Sequence, residues 1–163
     1  MKSPFDSIYR VTGFLAVACL AAIAIVVLAD VALRQFGGQI KSSDDFAGFA
    51  LVGTAMLGLG PTYRHGDHIR VGLVLDRFTG VTRRYVEMFV LVMAVVMVAW
   101  ATWWIGNFVY DSWRFHEVSQ GLIAINLWIP QCLMLIGIAV LLLALVEDLF
   151  RMLTGKQIGR AHV

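Results

Sequence analysis

Charge is what this chain has least of. Asp, Glu, Lys and Arg together make up 15% of its 163 residues, where an average soluble domain carries about 25%. Apolar residues reach 60%, beyond the usual share of about 45–50%, and an excess of that size has few uses in water. Cysteine is equally scarce. Cys19 and Cys132 both fall in apolar stretches, with no Cys-x-x-Cys pair and no Cys/His cluster. That excludes a disulfide framework and a thiol oxidase, and it leaves each thiol to pack as a small hydrophobe. There are three prolines, no Ser/Gly-rich tract, no charge run and no internal repeat. Nothing marks a linker, so residues 1–163 are expected to form a single four-helix membrane domain.

Histidine is also missing from the places where a membrane cytochrome needs it. His65, His68, His116 and His162 all lie outside the apolar stretches, so no span offers an axial haem ligand. His65 and His68 have the spacing of a helical metal pair but no further ligand nearby. No nucleophile motif and no phosphate loop occur. The chain is therefore expected to be no enzyme, to hold no cofactor or metal, and to bind no nucleic acid.

What is present is four long runs without a charge: Val11–Ala29, Phe46–Tyr63, Met88–Tyr110 and Val118–Val146. A helix needs about 20 apolar residues to cross a hydrocarbon core of about 30 Å. In that medium the backbone must bond to itself, which leaves helix as the only sensible state. The fold class predicted is an all-α integral membrane protein: four transmembrane helices plus short amphipathic interfacial helices. The spans are placed at about residues 11–33, 46–63, 85–110 and 122–149, with a cytoplasmic amphipathic segment at about 68–80. The first run, at 19 residues, exceeds the apolar core of about 7–15 residues in a signal peptide, so it is expected to be retained. The second is short and holds Gly48, Gly53, Gly58, Gly60 and Pro61. It must thin the bilayer or sit among neighbours.

Basic residues set the expected orientation. With the N-terminus inside, Lys2, Arg10, Arg64, Arg70, Arg77, Arg83, Arg84, Arg151, Lys156 and Arg160 are cytoplasmic, and only Arg34, Lys41 and Arg114 are outside. The positive-inside rule thus predicts both termini in the cytoplasm. Trp100, Trp103, Trp104, Tyr110 and Trp113 then read as an aromatic belt towards the outer interface. Between the second and third spans, Val71, Val74, Leu75 and Phe78 share one helical face, Arg70 and Arg77 bracket it, and Arg83 and Arg84 follow. Such a basic amphipathic segment lies beside anionic lipid or grips a partner. The N-terminus is a smaller version: Ser3 caps, Pro4 suits the first helical position, and Asp6 falls in the first turn.

A self-sufficient pump keeps an ionisable group near the membrane midplane. Here Asp30, Glu87, Glu147 and Asp148 all sit at span ends. What remains is packing and recognition. Ala50, Thr54 and Gly58, and Ala18 with Ala22, have small-xxx-small spacing, which lets helices approach closely either within this chain or against another subunit. In the outer loop Asp30 and Arg34 are i, i+4 and can pair. Ser42 or Ser43 can cap the second span, and Asp44 and Asp45 fall in its first turn, where the helix dipole favours anions. Recognition of a partner is the other reading of this cluster.

The order of these features resembles the small permease subunit (the Q subunit, DctQ-like) of tripartite ATP-independent periplasmic (TRAP) transporters. Asp30-Val31-Ala32-Leu33-Arg34 resembles the family's Asn/Asp-Val-x-x-Arg at the end of the first span. Ser43-Asp44-Asp45 resembles its polar, doubly acidic start of the second, although the acids are usually Glu and follow a Trp that is absent here. Gly66-Asp67-His68-Ile69-Arg70-Val71 resembles its Gly-x-His-Ile-x-Val element, and Leu127-Trp128-Ile129-Pro130, with Gly137 following, resembles the Pro-containing start of the fourth.

The resemblance implies a non-catalytic scaffold in the bacterial inner membrane. Its expected partners are a large permease subunit, a periplasmic substrate-binding protein and membrane lipids, in ion-gradient-driven, commonly sodium-driven, uptake of organic anions. The expected partner contacts are Arg34, Asp44, Asp45, Ala50, Thr54 and Gly58, and the lipid contacts Arg70, Arg77, Arg83 and Arg84. Two other classes stay open on the residues alone. One is a self-sufficient four-helix exporter acting as a dimer, and the other a membrane-anchor subunit of a respiratory complex.

Overall fold

The computed structural model describes residues 6–64, 81–121 and 123–154, with the side chains of 81–84 outside that description. The expected amphipathic segment 68–80 with Arg70 and Arg77, the N-terminal Ser3 and Pro4, and the His65/His68 pair lie outside the described residues. Four helices follow in chain order: α1 (Asp6–Gln35), α2 (Ser43–Arg64), α3 (Val81–Arg114) and α4 (Trp128–Leu153). Each is long and apolar enough to cross a membrane, and the protein is an all-α membrane protein. At 1.5 Å per residue they measure about 45, 33, 51 and 39 Å, so only α2 closely matches a hydrocarbon core of about 30 Å. The others project beyond it or tilt.

The start of α4 shows how the sequence ends one element and begins another. The fourth span was placed from about residue 122, whereas the helix begins at Trp128. Before it the chain folds back on itself. Val118 and Asn126 form an isolated antiparallel bridge, Ser119 N–H donates to Ile125 O at 2.7 Å, and Leu127 N–H donates to Glu117 O at 3.0 Å. Pro130 then falls in the first helical turn, where the backbone N–H has no intrahelical partner to lose.

The helices stand in a row and not in a closed bundle. α1 packs on α2, α2 on α4, and α4 on α3; α1 meets α4 at one end, where Tyr9 packs with Val140 and Ala144, and among the described residues the α3 backbone approaches neither α1 nor α2, although Tyr63 of α2 packs against the cluster of Leu91, Leu145 and Met152. α4 is accordingly the most buried element, with Gly137, Ile138, Val140, Ala144, Leu145 and Met152 enclosed. Of the apolar side chains on α3, only Leu91 is buried among those described.

The central contact is α2 against α4, and small residues permit it. Gly137 lies directly on the Met56–Leu57 backbone, where a Cβ would collide with the Met56 carbonyl and stand 2.8 Å from Leu57 N. One turn along, a Cβ on Gly60 would be 2.6 Å from Val140 Cγ1. Lipid tails give helices no hydrophobic reason to associate, so close backbone approach and dispersion must supply the attraction. Gly53 brings α1 and α4 to the same helix, facing Cys19 Sγ at 3.2 Å and Leu133 Cδ1 at 3.3 Å from a would-be Cβ. Leu57, 1% exposed, fills the middle of this face.

Gly137→Ala should destabilise the chain by about 1–3 kcal/mol, the usual cost of overpacking a site that cannot shift. Gly58→Ala should leave stability unchanged or slightly raised, because nothing lies within 4 Å of a Cβ there and alanine is the better helix former. Thermal unfolding of both variants in one detergent distinguishes them.

Candidate functional site

Polar side chains gather at the two ends of the row. At the end holding Asp30, that carboxylate is the hub. It is 5% exposed although it sits on an apolar helix. Its Oδ2 accepts from Arg34 Nε at 2.8 Å and pairs with Arg34 NH2 at 2.6 Å. Its Oδ1 accepts from Ile40 N–H at 2.9 Å. One buried acid thereby ties the end of α1 to the turn that leads into α2. Gly37, at φ 78°, makes the turn out of α1, and Gly38 N–H closes it on Leu33 O at 2.9 Å.

The α3–α4 connection covers the same end. Ser112, fully buried, donates to Glu117 Oε2 at 2.7 Å, and His116 turns the chain at φ 52°. The connection is tied across to α2 by Ile123 N–H, which donates to Ser42 Oγ at 3.0 Å. Ser42 reaches it from a left-handed backbone conformation, φ 61°. This changes the expected role of Ser42. Its side chain ties loops together, and it is the Ser42 carbonyl that accepts Phe46 N–H at the helix start.

The sequence-predicted partner residues divide at this end. Arg34 is held by Asp30 but stays about half exposed, 52% for its side chain. Asp44 is exposed and makes no ion pair among the described residues. Asp45 is half-buried, its carboxylate close against Gly121, where a Cβ would have no room. Within the span, Thr54 donates to its own helix at Ala50 O, 2.9 Å away. Gly58 faces open space. The row Ala50–Thr54–Gly58 is thus not the one that packs α2 inside this chain; Gly53, Leu57 and Gly60 do that. Arg83 and Arg84 lie on α3, but their side chains are outside the described residues.

The opposite end carries a cluster that the sequence reading missed. Arg64, at the end of α2, pairs with Glu147 of α4 at 3.0 Å and with Asp6 of α1 at 2.8 Å. Its guanidinium lies 4.8 Å from the centroid of the Tyr9 ring, and the Tyr9 hydroxyl donates to Glu147 at 3.3 Å. Arg151 pairs with the other Glu147 oxygen at 2.5 Å. The signal was present in the sequence: opposite charges at the same end of three spans. Reading each as a group that reaches the interface concealed the pairing. Removing one partner of a buried ion pair costs about 3–5 kcal/mol. The cost here is lower, since Asp6 and Arg151 are 39% and 35% exposed.

The expected aromatic belt is spread along the outer half of α3. Trp100 stands about 20 Å along the helix axis from Glu87 and about 16 Å from Asp111, close to the middle of the charge-free stretch. Trp103 and Trp104 lie about 12 and 10 Å from Asp111, still inside a half-thickness of about 15 Å. α4 gives the same depth, because Gly106 neighbours Leu135 and a groove flanking Trp103 is walled by Leu142. Only Tyr110 and Trp113 reach the interface level. Trp100, Trp103 and Trp104 are 67%, 71% and 59% exposed.

The pairing at the Arg64 end is directly testable. Arg64→Glu or Glu147→Arg alone should lower thermal stability in detergent, by about 2–3 kcal/mol after allowing for partial exposure. The double exchange should recover part of that loss, whereas additive losses would show that the two charges act independently.

The family described as tripartite ATP-independent periplasmic transporters, DctQ component, matches residues 23–155. No curated protein matches the chain.

Proposed function

The chain belongs to the DctQ component of the tripartite ATP-independent periplasmic transporters, and on that premise we propose that it is the non-catalytic scaffold of such a transporter. In this reading it binds the large permease subunit in the bacterial inner membrane and helps dock the periplasmic substrate-binding protein. The complex then takes up organic anions on an ion gradient, with sodium as the expected coupling ion. The observation that carries the proposal is the open row of helices. α1 and α3 each have a packed neighbour on one side only. Each outer helix therefore keeps a free face that lipid or another membrane protein can cover, which is what a subunit that adds to a larger membrane complex requires.

The polar ends fit that role. With both termini cytoplasmic, as the basic residues suggest, the Asp30 end faces the periplasm. There a fixed pair of loops presents Arg34 and Asp44, with Asp45 beside them, to an incoming soluble protein. A rigid polar surface loses little entropy on docking. Ala50, Thr54 and Gly58 supply a small-residue row for close approach of a helix of the large subunit. Arg70, Arg77, Arg83 and Arg84 hold the cytoplasmic side against anionic lipid.

Deleting the chain should abolish ion-driven uptake while the large permease still inserts; normal uptake without it would overturn the proposal. Asp44→Ala, removing an exposed acid with no ion pair among the described residues, should weaken uptake severalfold at limiting binding protein and leave thermal stability unchanged. Raising the binding-protein concentration should restore the rate, because a rim charge acts mainly on encounter.

A further inference from the structure

The two edges of the row differ in chemistry. The exposed side chains of α1 are hydrocarbon: Phe14, Val17, Leu20, Ile25 and Leu28 are each more than half exposed and carry no polar atom. Lipid tails satisfy them fully. The outward face of α3 has a different composition. Phe89, Met97, Trp100, Trp104 and Phe108 repeat at helical spacing along it, with Trp103 beside them, and each is more than half exposed. Trp100 and Trp104 stack edge to face with centroids 6.3 Å apart.

The indole N–H groups decide what this face meets. None of Trp100, Trp103 and Trp104 donates a hydrogen bond to any described residue, and all three fall within the charge-free stretch of α3, where lipid tails offer no acceptor. An amide-like donor left unpaired in hydrocarbon costs about 2–7 kcal/mol, depending on the reference state. Trp is favoured in membranes at the interface, where its N–H finds water; three inside the charge-free stretch are less well placed in lipid. Beside Trp103 runs a groove of about 340 Å³ between α3 and α4, lined by Ala99, Thr102, Trp103, Gly106, Asn107 and Leu142. Its rim holds the exposed Asn107, whose amide gives one N–H to Trp103 O at 2.9 Å.

The size of the face agrees. A buried aromatic covers about 150–250 Å², so enclosing the exposed parts of Phe89, Trp100, Trp103, Trp104 and Phe108 removes roughly 600 Å² from lipid. A standard interface buries about 800 Å² per partner. Tryptophan and methionine are also residue types enriched in such interfaces.

We propose that the tryptophan face of α3 is the surface that seats the large permease subunit, whose helices there offer hydrogen-bond acceptors at mid-membrane depth, while the aliphatic face of α1 is left to lipid. This rests on the scaffold reading above and assigns it a face. A second copy of this chain is the competing occupant, and the crosslinking below separates it from the large subunit.

The test is site-specific crosslinking in the assembled transporter, in native membranes. A photocrosslinking residue replaces Trp100 in one variant and Ile25 in another. Position 100 should form a covalent adduct with the large subunit, and position 25 should give none. An adduct at 25 and not at 100 overturns the assignment, as does a homodimer adduct at 100. The companion measurement is co-purification of the large subunit with a variant carrying Trp100→Phe, Trp103→Phe and Trp104→Phe. These changes keep the rings and remove the donors. Recovery should fall by about tenfold, as for loss of a central anchor cluster, while the same chain with Phe14→Leu and Ile25→Leu retains its partner. Unchanged recovery of the Trp→Phe variant contradicts the donor argument. If the unaltered chain brings down no large membrane protein at all, the scaffold reading itself fails, which is a separate result.

Discussion

The structure depends on one contact, the crossing of α2 and α4 at Gly137. No side chain separates the two backbones there, because Gly137 rests on Met56 and Leu57 and Gly60 rests on Val140. In lipid this closeness replaces the hydrophobic effect as the source of attraction. The other helices are arranged around it. α1 reaches the pair through Gly53, Cys19 and the Gly13–Pro61 contact, and α3 reaches it chiefly through α4. Polar ties then lock the ends. Asp30 fixes one, and the Arg64–Glu147–Asp6 set fixes the other, binding α1, α2 and α4. The free face that carries the tryptophans belongs to α3.

That asymmetry connects packing to function. A scaffold must be stiff where it holds its own shape and open where it holds another protein. Stiffness comes from the central crossing and the two polar ends. Openness comes from stopping the bundle at a row, which leaves two edges of different chemistry. Ionisable groups are kept at the ends, so the middle of the row carries no charge to desolvate against lipid or another membrane protein.

Much of this was legible in the sequence. Four charge-free runs in a chain with so few charges allow only helices, and the motif at Asp30–Arg34 pointed to the pairing that the structure contains. What the sequence concealed was lateral order. Helix periodicity says which residues share a face but not which neighbour the face meets. Thus the small-xxx-small rule selected Ala50–Thr54–Gly58, whereas the glycines of the real contact, Gly53, Gly60 and Gly137, belong to no such row within α2 alone. The Arg64 cluster was missed because its partners are 58 and 83 residues distant. Counting charges by membrane side groups them without pairing them. For the tryptophans the sequence shows position along the span but not which neighbour their face meets.

The measurement that bears most directly on this account is the distance between α1 and α3. Spin labels on Leu20 and Met97, both exposed, can be read by pulsed electron resonance in nanodiscs. Helices in contact have axes about 8–10 Å apart. A row with α2 and α4 between its edges predicts a single distance population beyond about 20 Å, the equivalent of at least two such spacings. A population near one spacing would mean that α1 and α3 close a four-helix bundle, and both the open row and the partner surface inferred from it would be contradicted.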